Sequence, residues 1–87
     1  MPSTAFQELG RLRWRCRRGM KELDMLLTRY AEEDYGGASP AAQRAFLELL
    51  DAPDPVIYAY CMGQSRPAAP VLRALIERIT SRPAGRV

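Results

Sequence analysis

Eighty-seven residues make one domain, close to the lower size at which a hydrophobic core holds without disulfides or metals. An apolar fraction of 47% with charges of both signs excludes a disordered tail, and a net charge of only +3 permits nucleic-acid binding without demanding it. The absence of histidine removes imidazole general-base chemistry, the Ser-His-Asp arrangement and nearly all zinc sites, so an enzyme is not expected.

Taken in chain order, the punctuation predicts five short helices. Ser3 or Thr4 caps a first one carrying Phe6, Leu9, Leu12 and Cys16 at three- and four-residue steps, with Gly19 marking its end or a tight junction. Leu23, Leu26, Leu27 and Tyr30 form the apolar stripe of a second, which runs to about Tyr35 and stops at Gly36-Gly37. Ser39-Pro40 starts a third, with Ala42, Phe46, Leu49 and Leu50 inward. Asp54-Pro55 starts a fourth, with Val56, Ile57, Tyr60 and Cys61 before Gly63. A fifth follows Pro67 to Pro70 and buries Leu72, Leu75, Ile76 and Ile79.

No segment alternates with period two, so the fold class is all-α. The expectation is a compact five-helix bundle, one domain over 1–87 with a core from about 4 to 82 and fraying at 83–87. Short connections predict that consecutive helices are neighbours. No window approaches the ~20 apolar residues of a membrane span. The first ten residues lack a signal-peptide run, so a cytoplasmic protein is expected, with Cys16 and Cys61 as reduced thiols.

The segment from Arg11 to Asp24 carries most of the functional information. Six of the thirteen basic residues fall at positions 11–21, around the sole tryptophan, while arginine outnumbers lysine twelve to one along the chain. Biased coding accounts for the arginine excess but not for its clustering. Trp14 is two positions from both Leu12 and Cys16, hence off the inward stripe, and an exposed tryptophan between arginines reads as an interface anchor. Arg11, Trp14 and Arg18 follow the i, i+3, i+7 rule and share a stripe if the helix continues. On a continuous helix Arg18 and Glu22 also share a face, as an ordinary surface pair worth roughly 0.3–0.5 kcal/mol or as part of a site opened by Gly19.

The same composition could grip a phosphate backbone with an aromatic stack, although Glu22 and Asp24 close off the patch and no nucleic-acid-reading motif is present. A small basic nucleic-acid-binding module therefore stays open as the alternative. Glu32-Glu33-Asp34 reads as a solvated helix end, and Asp51 to Pro55 as a turn with a cap.

With these residues in view, the chain resembles the succinate dehydrogenase assembly factors, small helical proteins that promote covalent flavinylation. The carrying residues are Arg11, Trp14, Cys16-Arg17-Arg18-Gly19-Met20 and Glu22-Leu23-Asp24, which contain the family's Arg-Gly-x-x-Glu motif as Arg18 to Glu22. The resemblance continues through Tyr35, Phe46 to Leu50, Asp54-Pro55 and Leu75-Ile76, roughly residues 6–80. Tyr60 stands where the family often has tryptophan, and Gly36 to Ala42 is less acidic than is usual there.

The resemblance implies a non-enzymatic monomer that binds the flavoprotein subunit of succinate dehydrogenase, and in bacteria also that of fumarate reductase. FAD would be the client's cofactor, with none bound stably here. Carried over by position, Arg18, Gly19 and Glu22 would form the docking centre, with Arg11, Trp14, Arg17 and Asp24 around it. An antitoxin label attached to relatives finds no support in these residues.

Overall fold

The computed structural model describes residues 3–81, with side chains from residue 9 onward. Among the described residues five α-helices run in order: α1 (Ser3–Arg15), α2 (Lys21–Glu33), α3 (Pro40–Leu50), α4 (Asp54–Cys61) and α5 (Pro70–Ser81). A single 3-10 turn, Tyr35–Gly37, links α2 to α3. There is no strand among the described residues. The inward placement of Phe6 and the fraying of residues 83–87 lie outside what is described.

Most of each periodic stripe ends up inward, but Ala42, in the first turn of α3, stays half-exposed outside the core, and Leu72 of α5 is only partly buried against it. Leu23, Leu26, Leu27 and Tyr30 of α2 are buried, as are Phe46, Leu49 and Leu50 of α3 and Leu75, Ile76 and Ile79 of α5. Phe46 is the hub: Tyr30 lies 4.7 Å from its ring centroid and Tyr35 5.7 Å, both tilted. Such pairs add roughly 0.5–1.5 kcal/mol beyond the area they bury. Val56 departs from its expectation and faces solvent, because α4 is only eight residues long and buries Ile57 alone. Cys61 and Tyr60 are half-buried against the core.

Neighbour relations depart from chain order. α1 lies on α2 and α4 on α5, but the main helix contact of α3 is α5, which also packs against α2. The fifth helix therefore neighbours α2, α3 and α4, and its three buried aliphatics join the common core. The α3 start follows the sequence signal: the Ser39 hydroxyl accepts from the Ala42 amide at 3.1 Å, and Pro40 takes the first position. Ser39→Ala should cost about 1 kcal/mol, read as a lower urea midpoint at unchanged slope. An unchanged midpoint would remove the cap from the account.

Both thiols are unbridged. Burial pushes the Cys16 thiol up to about 11, against the opposing pull of Arg18 and Arg15, and burial alone does the same at Cys61. Neither is an activated nucleophile.

The acidic end of α2 is not merely solvated. The Asp34 side chain is only 8% exposed and pairs with Arg29 at 3.2 Å and Arg78 at 3.3 Å. Arg29 also donates to the Ile79 carbonyl at 3.0 Å, satisfying one of the orphan carbonyls at the end of α5. Three charges thus lock the last turn of α5 onto the last turn of α2.

Candidate docking site

The site forms where α1 gives way to α2. α1 stops at Arg15, earlier than the helical pattern suggested. The Cys16 amide is shared between the Leu12 and Arg13 carbonyls at 3.2 and 3.1 Å, and the Arg17 amide reaches the Trp14 carbonyl at 3.2 Å. This is the tightened last turn with which helices end. The next two amides are taken by a side chain from the following helix. Asp24 accepts from the Arg18 amide at 2.6 Å and from the Gly19 amide at 3.2 Å. Gly19 then turns the chain with φ of +83°, the left-handed region that favours glycine.

This junction corrects two expectations. Arg18 and Glu22 are not on one continuous helix, so they form no i, i+4 pair, and Arg18 leaves the stripe begun by Arg11 and Trp14. The Arg18 side chain instead turns into the fold and is 14% exposed. Its Nε donates to the Arg15 carbonyl at 3.0 Å, Nη1 to Asp54 at 3.1 Å, and Nη2 to the Leu50 carbonyl. The guanidinium ties the end of α1 to the end of α3 and the start of α4. Arg15 makes a parallel but exposed link to Asp51 at 2.6 Å. The turn from Asp51 to Pro55 is therefore more than a cap: its two aspartates each receive an arginine from the α1 end.

Around the junction lies an exposed face. Trp14 is 70% exposed, with the Arg17 guanidinium 5.2 Å over its ring. Such a cation–π contact is worth about 0.5–1 kcal/mol at an exposed site. Trp14, Arg17 and Gly10 from the α1 side, with Met25, Thr28 and Asp24 from α2, line an open groove. Arg11, Lys21 and Glu22 are exposed and make no side-chain ion pair among the described residues. Glu22, in the first turn of α2, is favoured there by the helix dipole. Gly19 is exposed and a Cβ built on it meets nothing within 4 Å, so the backbone of the turn stands bare.

Of the seven residues singled out, Arg11, Trp14, Arg17, Gly19 and Glu22 present exposed surface, whereas Arg18 faces inward and Asp24 spends its carboxylate on the junction amides. The basic cluster is also less available than its count suggests. Arg13 pairs with Glu32 at 3.0 Å, and with Arg15 and Arg18 paired as above, only Arg11, Arg17 and Lys21 keep unpaired charge. Three scattered cations make a poor track for a phosphate backbone. No group of three metal-ligating side chains occurs among the described residues, and no helix there is long and apolar enough to cross a membrane.

Comparison with known proteins gives a consistent set of matches. The family described as Sdh5, flavinator of succinate dehydrogenase, matches residues 10–83. The FAD assembly factor SdhE of Coxiella burnetii is 39% identical over 69 residues, covering 79% of this chain and 84% of that protein. The proteins of the same name from Photobacterium profundum and Pectobacterium atrosepticum are both 36% identical, over 74 and 73 residues. The former alignment covers 85% of this chain and 84% of the relative, the latter 84% and 83%.

Proposed function

The chain belongs to the family of succinate dehydrogenase flavinators, and from that premise we propose that it binds the flavoprotein subunit of succinate dehydrogenase and promotes covalent attachment of FAD to that subunit. The observation that carries the reading is the junction itself. Gly19 exposes bare backbone at φ +83°, two positions after the Arg17 of the Trp14–Arg17 stack and three before Glu22, which is exposed and makes no side-chain ion pair among the described residues. A large aromatic plate and a charged pair of opposite sign fix the orientation of a partner, while the missing side chain allows close approach.

In this reading the protein is a chaperone and not a catalyst. The bond to the flavin forms on the client, and no flavin site is assigned to this chain. The family resemblance extends the proposal to the flavoprotein subunit of fumarate reductase as a second client. Arg11, Trp14, Arg17, Gly19 and Glu22 would touch the partner, and Arg18 and Asp24 would shape the face from behind.

The test is covalent flavin fluorescence of the flavoprotein subunit in a denaturing gel, from cells with and without the gene. The band is expected to disappear on deletion and to return with the wild type but not with Glu22→Ala. A band of equal intensity in the deleted strain would defeat the proposal.

A further inference from the structure

We propose that Asp54 is a positioning residue for the docking face, acting through Arg18 to hold the Arg18–Gly19 junction in the shape a partner recognises. The inference rests on the reading of that face as the docking surface and adds a residue on a different helix, 36 positions away in sequence.

The junction is pinned from both sides. Asp24 holds its backbone by taking the Arg18 and Gly19 amides at 2.6 and 3.2 Å. Asp54, with the Leu50 carbonyl, holds the side chain that leaves the same residue. Gly19 has no side chain to pack, the space where a Cβ would stand is open, and a glycine has the largest conformational freedom to lose. Without Asp54 the Arg18 side chain keeps only the Leu50 and Arg15 carbonyls and loses its charged partner, so the turn depends more heavily on Asp24. A preformed surface binds more tightly than one that must be ordered on contact, because the ordering cost falls before association.

Asp51 supplies the matched comparison. It lies in the same α3–α4 turn and receives Arg15 at 2.6 Å, but both side chains are exposed and neither holds the Arg18 side chain or the Arg18 and Gly19 amides. Loss of that pair should have little consequence.

The experiment uses the full chain and follows flavinylation of a purified flavoprotein subunit at increasing concentrations of the wild type, Asp54→Asn and Asp51→Asn. In parallel, hydrogen exchange of the Arg18 and Gly19 amides is read on the free proteins by NMR. Asp54→Asn is expected to raise the half-saturating concentration about ten-fold at an unchanged plateau and to speed exchange of both amides, with Asp51→Asn matching the wild type in each. An unchanged half-saturating concentration, or a lowered plateau alone, would overturn the proposal.

Should the wild type itself fail to stimulate flavinylation, the functional reading falls. The exchange arm still decides on the brace: unchanged exchange in Asp54→Asn overturns it, and faster exchange upholds it. If Asp54→Asn does not fold, Asp54→Glu keeps the charge and displaces it by one methylene. It should then show weakened half-saturation with a Tm close to the wild type, and wild-type half-saturation would count against the proposal.

Discussion

Gly19→Arg is expected to give a folded protein that no longer promotes covalent flavin attachment, a loss on the order of a hundred-fold. The first atom of the new side chain meets no steric obstacle, since a Cβ at this position has no neighbour within 4 Å. The internal cost is the left-handed backbone, about 1–2 kcal/mol for a residue other than glycine. A domain of this size should then melt roughly 5–15 °C lower, with its helical circular dichroism retained. The remaining loss belongs to the partner, which would meet an arginine where the wild type offers bare backbone. Gly63 provides the control, because it too has positive φ, +77°, and no neighbour within 4 Å. Gly63→Arg should lower the Tm similarly and leave flavinylation intact. Equal functional loss in the two variants would mean that stability, and not docking, explains the effect.

Asp34→Ala is expected to have the largest effect on stability, about 2–3 kcal/mol, or roughly 10–20 °C in Tm. Arg29 is 11% exposed, and its Nε already lacks a partner, so removing Asp34 leaves a largely buried charge supported only by Glu33 and the α5 carbonyls. The estimate lies below that for a fully isolated buried charge because those contacts persist. Glu32→Ala, which breaks an exposed pair with Arg13, should cost less than about 0.5 kcal/mol.

The same aspartate gives a pH dependence. Burial works to raise its pKa, but hydrogen bonds from Arg78 and Arg29 outweigh it and hold the carboxyl below its usual 3.8. A depressed folded pKa means that the stabilisation is fully present above the unfolded value and is lost as pH falls through the folded one. Urea unfolding should therefore separate wild type from Asp34→Asn at pH 7, with the gap narrowing below about pH 4. A constant gap across that range would show that the pair's charge is not the source of the stability.

How much of this was legible in the sequence depends on the range of the interaction. The stripes of α2, α3 and α5 and the Ser39 cap follow from spacings of three and four residues and appear in the structure, except that Ala42 stays half-exposed and Leu72 is only partly buried. Trp14 was placed outside by the same count. The end of α1 was not legible. Periodicity continues through Cys16, but Asp24 captures two backbone amides from the far side of the junction and so offers the chain an alternative to helix. Nor does local pattern reveal Arg18–Asp54 or Arg15–Asp51, each bridging 36 positions. The one available hint was that both arginines and both aspartates are spaced by three. The role of Asp34 was hidden for the same reason, since one of its partners, Arg78, comes from α5.

The most direct measurement mixes purified flavoprotein subunit, free FAD and this protein, then follows covalent flavin over time after denaturation. The account predicts that the protein at stoichiometric amounts accelerates formation of the covalent adduct, and that Glu22→Ala, folded by circular dichroism, does not. An identical time course with and without the wild-type protein would contradict it.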